Sequence, residues 1–145
     1  MSEVKFGDVY THYKSSERTY AMVGIVLTPE NQEEFILYKP RYGDRVCWMR
    51  PKEMFLGNVV IEGHEIKRFN KQSLTLDQEE LDQLKQTTIE TYKGKTYEVL
   101  CDARHSETQE PYIIYKSPVG KYYAEPKAVL LDITESECQT KQLNT

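Results

Sequence analysis

Several features that would identify a common class of protein are missing from this sequence or scarce in it. The cysteines, Cys47, Cys101 and Cys138, are odd in number and widely spaced, which argues against a disulfide framework or a zinc motif. No apolar run is long enough to span a bilayer, and the first residues form no basic and then apolar signal segment. We therefore expect a cytoplasmic protein with reduced thiols and no contact with a membrane.

Motifs for nucleotides, metals and hydrolytic catalysis are also absent. The sequence contains no GxxxxGK or GxGxxG segment to hold a phosphate, and no nucleophile elbow. Its histidines, His12, His64 and His105, lie far apart, and Cys101 is too distant from His105 along a predicted strand to share a metal ion with it. The sequence therefore predicts no cofactor and no metal site.

What the sequence does contain is tyrosine and an uneven distribution of charge. Eleven tyrosines among 145 residues favour half-buried β structure. The net charge is −4, yet residues 1–72 hold 11 basic and 10 acidic side chains whereas residues 73–145 hold 8 and 13. An anionic partner is therefore expected at the first half. The basic side chains concentrated there are Lys39, Arg41, Arg45, Arg50 and Lys52.

The sequence also repeats itself. Three segments recur in the same order: HYKSSERTYAMV as TYKGKTYEVL, EEFILYKPRYGD as EPYIIYKSPVGK, and RPKEMFL as EPKAVLL. Within each copy, short apolar runs rich in β-branched and aromatic residues predict strands, and FILYK and YIIYK have two apolar faces, as central strands do. Pro51 and Pro126 each predict a single helical turn after the last strand. Each copy is thus predicted to form a small, strongly bent barrel.

Between the copies lies the one clear helical pattern, SLTLDQEELDQLKQTT. Thr75 is the predicted N-cap, with Gln78 three positions later as in a capping box. Leu76, Leu81 and Leu84 form an apolar stripe, so we expect this helix to dock by one face.

The repeated segments resemble a bacterial family known as domain of unknown function 1653. The family pattern joins a HYK start, an ARHSETxE segment, a YGDxxxWxRPxxMF segment and a closing RF. The first copy has HYK, YGDRVCWMRPKEMF and RF, but IVLTPENQE stands where ARHSETxE belongs. The second copy has ARHSETQE but lacks the tryptophan, the Arg-Pro pair and the Met-Phe pair. The family pattern is therefore divided between two diverged copies.

The resemblance implies an SH3-like barrel and no established activity. Together with the repeat, it predicts a mainly β fold of two SH3-like small β-barrels related by internal duplication and joined by one α-helix. The expected boundaries are a first barrel at 1–72, a linker helix at 73–90, a second, shorter barrel at 91–135 and a flexible tail at 136–145. Because barrels of this size are marginal alone, we expect the two to pack together around a pseudo-twofold axis.

A candidate binding platform lies in the aromatic and basic segment 38–52. Trp48, Tyr38 and Tyr42 offer rings for stacking, and Arg45 and Arg50 offer positive charge, a combination that holds single-stranded nucleic acids in other proteins. Strand alternation predicts that Trp48 and Arg50 share one face. The alternative is that Trp48 fills the core of the barrel while the basic side chains face solvent.

The segment RHSETQE is a second candidate. A pair formed by His105 and Glu107 on one strand face is the basis of an enzyme hypothesis, while the simpler interpretation is a structural hydrogen bond or a turn. Arg104, His105 and Glu107 join the candidate ligand-binding residues. The predicted function is a non-catalytic binding module for an unknown protein, peptide or small anionic ligand. The alternatives are a nucleic-acid-associated module using segment 38–52 and an enzyme centred on His105 and Glu107.

Overall fold

The computed structural model describes residues 4–43 and 46–131, and this part of the chain is mainly β. None of its helices is long and apolar enough to cross a membrane. The predicted tail at 136–145 lies outside the described residues. The elements, in chain order, are β1 (Val9–His12), β2 (Ser15–Leu27), β3 (Glu34–Pro40), β4 (Cys47–Pro51), α1 (Lys52–Phe55), β5 (Asn58–Ile61), β6 (His64–Lys67), β7 (Phe69–Gln72), α2 (Gln78–Leu84), β8 (Thr88–Tyr92), β9 (Lys95–His105), β10 (Pro111–Lys116), β11 (Tyr122–Pro126) and α3 (Lys127–Leu131).

Strand pairing joins the two copies of the repeat into one sheet. In the first copy β2, β3 and β4 pair antiparallel in succession, and in the second copy β9, β10 and β11 do the same. Two parallel pairs then connect the copies, β4 with β9 and β11 with β2. Each of these six strands is therefore paired with a neighbour along both edges.

The internal duplication is visible in this pattern as an approximate twofold relation. Across the parallel pair of β4 and β9, Trp48 lies opposite Arg104, and across that of β11 and β2, Tyr123 lies opposite Leu27. Trp48 and Tyr123 hold matching positions, since each lies three residues before the proline that precedes a helical turn. The two parallel contacts are thus equivalent, and in each of them one strand comes from the first copy and the other from the second.

The main core lies between the copies and draws on both of them. Leu37 of β3 and Ile114 of β10 hold equivalent positions in FILYK and YIIYK, and both are 0% exposed in the same cluster. The prediction of a mainly β fold is confirmed. Two SH3-like barrels with separate cores are not confirmed, because strands of one copy pair with strands of the other and the core is shared. The domain boundaries stay predictions.

A second buried cluster, the aromatic cluster, lies on the other side of β3. The rings of Phe55 and Phe69 stack there with their centres 4.1 Å apart, and Tyr38 contacts both. α1 begins directly after Pro51 and brings Phe55 into the cluster. The helical turns predicted after Pro51 and Pro126 are confirmed as α1 and α3.

α2 joins the copies, but its N-cap differs from the predicted one. The side chain of Asp77, and not that of Thr75, caps the helix by accepting a hydrogen bond from the backbone N–H of Glu80 at 2.9 Å. Leu84 of α2 is buried in the main core, which confirms the predicted docking face. Arg41 also holds the helix, because its guanidinium donates to both carboxylate oxygens of Glu80 at 2.7 and 3.1 Å.

Asp77→Ala is expected to lower the free energy of unfolding by about 1 kcal/mol, because it removes the acceptor for an N–H at the start of α2. Thr75→Ala is the matched control and should change the stability little, since the Thr75 side chain is exposed. Chemical denaturation measures both values. A larger loss for Thr75→Ala than for Asp77→Ala would contradict the assigned cap.

Candidate ligand-binding site

A cleft of about 420 Å³ opens beside the aromatic cluster, where the first copy meets the second. It combines aromatic rings with basic side chains, and we call it the composite cleft. It is lined by His12, Lys14, Ser15, Arg18, Tyr20, Tyr38, Pro40, Tyr42, Trp48, Arg50 and Phe69 of the first copy and by Ser106 and Gln109 of the second.

The parallel pairing of β4 with β9 builds this cleft from segments that are distant in the sequence. Trp48 lies opposite Arg104, and Met49 lies opposite His105. Beyond the end of the pair, the backbone N–H of Ser106 donates to the carbonyl oxygen of Met49 at 2.9 Å. RHSET of the second copy therefore adjoins CWMRP of the first, so the two parts of the divided family pattern lie side by side in the fold.

Alternation along β4 sorts its side chains as predicted. Trp48 and Arg50 line the cleft, whereas Cys47 and Met49 are buried in the main core. Trp48 is half-buried and packs against the aromatic cluster. It is therefore a wall of the cleft, and it is neither a fully buried core residue nor a freely exposed ring.

Arg50 is held on three sides. Its Nε donates to the hydroxyl oxygen of Tyr38 at 3.2 Å, its guanidinium carbon lies 5.5 Å from the centre of the Phe69 ring, and its Nη1 lies 3.6 Å from Oε2 of Glu107. The side chain of Arg50 is 16% exposed. Because 3.6 Å is too long for an N–H···O hydrogen bond, the contact with Glu107 leaves Nη1 able to bind a closer oxyanion.

His12 is neutral because of its surroundings. Burial, followed by the charges of Arg50, Lys14 and Arg68, lowers the pKa of His12 from 6.5 to about 4. Its Nδ1 accepts a hydrogen bond from the backbone N–H of Lys14 at 3.2 Å, which leaves the proton of the neutral ring on Nε2. At neutral pH His12 therefore adds a hydrogen-bond donor to the cleft and no charge.

Two tyrosines form a second wall of the cleft. The hydroxyl oxygens of Tyr20 and Tyr42 lie 2.8 Å apart and share a hydrogen bond, and the guanidinium of Arg18 lies 4.8 Å from the centre of the Tyr42 ring. Burial and the bond to Tyr42 raise the pKa of Tyr20 above its usual value. Tyr20 therefore carries no negative charge at physiological pH.

The predicted site residues divide into those at the cleft and those elsewhere. Tyr38, Tyr42, Trp48 and Arg50 line it, and Glu107 adjoins it through its contact with Arg50. Five of the eight predicted residues are thus brought together.

The remaining three are Arg104, His105 and Arg45. Arg104 is exposed on β9 and does not line the cleft. His105 lines a separate cavity, with its ring centre 5.3 Å from that of Phe35 and 5.9 Å from that of Tyr112. Arg45 lies outside the described residues.

The contacts of His105 favour the turn interpretation over the enzyme hypothesis. Its Nδ1 accepts from the backbone N–H groups of Glu107 and Thr108 at 3.1 and 3.4 Å. The carboxylate of Glu107 accepts from the hydroxyl of Ser106 at 3.2 Å and faces Arg50. The imidazole thus closes the turn after β9, and the carboxylate of Glu107 is directed to the cleft.

The sequence pattern did not identify several residues of the cleft, among them His12, Phe69, Arg18 and Tyr20. His12 lies opposite Phe69 in the pairing of β1 with β7. These two belong to HYK and RF, so the family pattern contained a signal for them. Arg18 and Tyr20 lie on β2 outside the segments that suggested a site, and no local signal separated them from other strand residues.

The second copy forms a counterpart of the composite cleft with different chemistry. This counterpart has a volume of about 790 Å³. Glu125 holds the repeat position of Arg50 and accepts a hydrogen bond from the Tyr115 hydroxyl at 3.1 Å, much as Arg50 donates to Tyr38, but it lines the separate cavity that contains His105. The hydrogen bond to a tyrosine is retained at this position while the charge is reversed, which gives an internal comparison for Arg50. Equivalent aromatic residues line the two clefts, Tyr20, Tyr38 and Trp48 in the first and Tyr97, Tyr115 and Tyr123 in the second.

Trp48 is the only tryptophan, so its fluorescence reports on the composite cleft. We expect acrylamide, a neutral quencher, to quench it less than in the denatured protein because the ring is half-buried. The ratio of the quenching constant in the native protein to that in the denatured protein should be higher for iodide than for acrylamide, because the nearby cations attract an anion. Arg50→Ala should remove part of that difference. Complete protection of Trp48 from both quenchers would contradict its place on the wall.

Comparison with known proteins agrees with the divided pattern. The model of a family described as Protein of unknown function (DUF1653) matches two segments of the chain, residues 8–71 and 90–142. No curated protein and no solved structure matches the chain significantly. The two matched segments correspond to the two copies of the repeat, which confirms the tandem arrangement.

Proposed function

The chain belongs to the DUF1653 family, whose description assigns no activity, and from this premise we propose that it is a non-catalytic binding module. Its composite cleft binds a small anionic ligand that carries a flat ring. The observation that carries this proposal is the state of Arg50. Its side chain is 16% exposed and its Nε donates to Tyr38, yet Nη1 lies 3.6 Å from the carboxylate of Glu107, its partner among the described residues.

Positive charge is concentrated around the cleft although the chain has a net charge of −4. Lys14, Arg18 and Arg50 line it, and Arg68 lies near enough to lower the pKa of His12. The buried Nε of Arg68 has no hydrogen-bond partner within the described residues. Guanidinium groups bind carboxylates and phosphates through short, charge-assisted hydrogen bonds, so these features favour an oxyanion.

The aromatic walls account for the ring of the ligand. Trp48 and Tyr42 stand at the cleft as half-buried rings, and each has an arginine nearby. Stacking on such a surface contributes to binding without demanding one particular ring, because the face of any flat ring can be used. A ligand with both an oxyanion and a ring would use both kinds of wall.

The nucleic-acid alternative has less support, because the described cations of segment 38–52 do not lie on one surface. Arg41 is bound to Glu80, and Lys52 lies 3.3 Å from the carboxylate of Glu34. Among the described cations of this segment, Arg50 is the one that lines the cleft. A nucleic acid backbone requires a continuous track of cations, whereas a small anion requires one cluster.

Titration with phenyl phosphate and benzoate tests the proposal. Benzyl alcohol, which has the same ring and no charge, is the control, and a single-stranded oligothymidylate tests the nucleic-acid alternative. We expect saturable changes in Trp48 fluorescence, and in the backbone amide resonances around the cleft, for the two anions alone. No binding of either anion would overturn the proposal, and so would tighter binding of the oligonucleotide with a steep dependence on salt.

A further inference from the structure

One ion pair joins the two copies at the composite cleft, and its geometry is poor. Nη1 of Arg50 lies 3.6 Å from Oε2 of Glu107, and the side chain of Glu107 is 45% exposed. We propose that Glu107 is an internal competitor, whose carboxylate holds the position that the oxyanion of a ligand takes on Arg50. This inference rests on the proposed function and adds how that site is kept specific for carboxylates or phosphates.

The same chain contains a well-formed arginine–carboxylate pair for comparison. Arg41 donates to the two carboxylate oxygens of Glu80 at 2.7 and 3.1 Å, a bidentate arrangement. Arg50 is no more exposed than Arg41, with 16% against 27% of the side chain accessible, but its contact with Glu107 is single and longer than a hydrogen bond. A ligand oxyanion that accepts two hydrogen bonds from Arg50 therefore binds it more strongly than the carboxylate of Glu107 does.

The turn that carries Glu107 allows the carboxylate to leave without a change of the backbone. The backbone N–H groups of Glu107 and Thr108 are fixed by Nδ1 of His105, and the N–H of Ser106 is fixed by the carbonyl of Met49. The side chain of Glu107 is exposed, and its carboxylate accepts a hydrogen bond from the hydroxyl of Ser106, a half-buried residue that also lines the cleft. Rotation about its own side-chain bonds is enough to free Arg50.

The equivalent positions of the repeat lack such a pair. Glu30 holds the position equivalent to Glu107, since TPENQE aligns with HSETQE, and Glu125 stands in the place of Arg50. Both line the cavity that contains His105, and two acidic side chains there do not attract an oxyanion. Glu30 therefore provides a matched control, an exposed glutamate in an equivalent turn with no arginine at the equivalent position.

The test compares Glu107→Gln with Glu30→Gln in the full chain, using benzoate and phenyl phosphate as probes. Because exposed ion pairs are weak, we expect Glu107→Gln to bind the probes roughly two- to fivefold more tightly than the wild-type protein. Glu30→Gln should bind them as the wild type does. Tightening for benzoate alone, or for phenyl phosphate alone, supports competition and assigns a carboxylate or a phosphate to the ligand.

Other outcomes overturn the inference. If the wild-type protein binds the probes and Glu107→Gln binds them equally or more weakly, Glu107 positions Arg50 and does not compete, while the proposed function stands. Equal tightening by Glu30→Gln would show an effect of net charge and not of displacement. If neither the wild-type protein nor Glu107→Gln binds a probe, the proposed function fails and the inference fails with it.

Discussion

Arg50→Ala is expected to weaken the binding of phenyl phosphate roughly 10- to 100-fold, because a hydrogen bond to a charged group contributes about 1.5–3 kcal/mol. Arg50 is the cation that both copies enclose, with Tyr38 and Phe69 on one side and Glu107 on the other. Its loss removes the donors at the centre of the cleft. Isothermal titration calorimetry at fixed salt measures the change.

Glu125→Ala is the matched control for this result. Glu125 holds the equivalent position and also forms a hydrogen bond with a tyrosine, so its removal repeats the truncation at a matching position outside the composite cleft. It should leave the affinity for phenyl phosphate nearly unchanged. Arg50→Lys should fall between the two, because lysine keeps the charge but not the planar fork. An affinity that survives Arg50→Ala in a protein shown to be folded by its denaturation midpoint would contradict the proposed site.

Leu37→Ala and Ile114→Ala are each expected to lower the free energy of unfolding by about 2–5 kcal/mol, the usual cost of truncating a fully buried aliphatic side chain. Both residues are 0% exposed and lie in one core, although they come from different copies. Their effects should therefore appear in a single shared transition. Denaturant unfolding measures this when it is followed both by Trp48 fluorescence and by far-ultraviolet circular dichroism.

The informative comparison is the effect of Ile114→Ala on Trp48. Trp48 belongs to the first copy and Ile114 to the second, so a shared core requires that the fluorescence transition shift to lower denaturant. Val60→Ala, at a side chain that is 66% exposed on β5, is the control and should cost less than about 0.5 kcal/mol. If Ile114→Ala left the Trp48 transition in place, the two copies would be independent units.

The local elements of the fold could be predicted because their signals are local. FILYK has two apolar faces, and β3 indeed directs Ile36 into the aromatic cluster and Leu37 into the main core. Pro51 and Pro126 marked the helical turns, since proline is favoured where a helix begins. The N-cap of α2 was assigned wrongly because Thr75 and Asp77 are both good capping residues, and only the backbone geometry separates them.

The joining of the copies could not be predicted because periodicity describes the faces of a strand and not its edges. The residues of β4 do not indicate that the edge not paired with β3 pairs with β9, a strand that lies much later in the chain. The repeat by itself predicts a closed sheet within each copy, and with the family resemblance it predicts two SH3-like barrels.

The candidate site could be predicted only in part, because it also depends on which strand edges pair. Alternation along β4 correctly placed Trp48 and Arg50 together. The roles of His105 and Glu107 depend on the turn after β9, whose hydrogen bonds direct one side chain inward to the backbone and the other toward Arg50. The imidazole of His105 closes that turn, but the place of Glu107 beside Arg50 also depends on the pairing of β9 with β4.

The two parallel strand pairs also protect this polypeptide from pairing with strands of other molecules. Each half of the chain has two strand edges that the other half covers, and an uncovered edge is a row of backbone donors and acceptors that recruits strands from any neighbouring molecule. The covalent connection keeps the matching edges at a high effective concentration, so that they pair with each other before they pair with strands of another molecule. Fusion of the two halves is thus a safeguard against aggregation as well as the means of building the cleft.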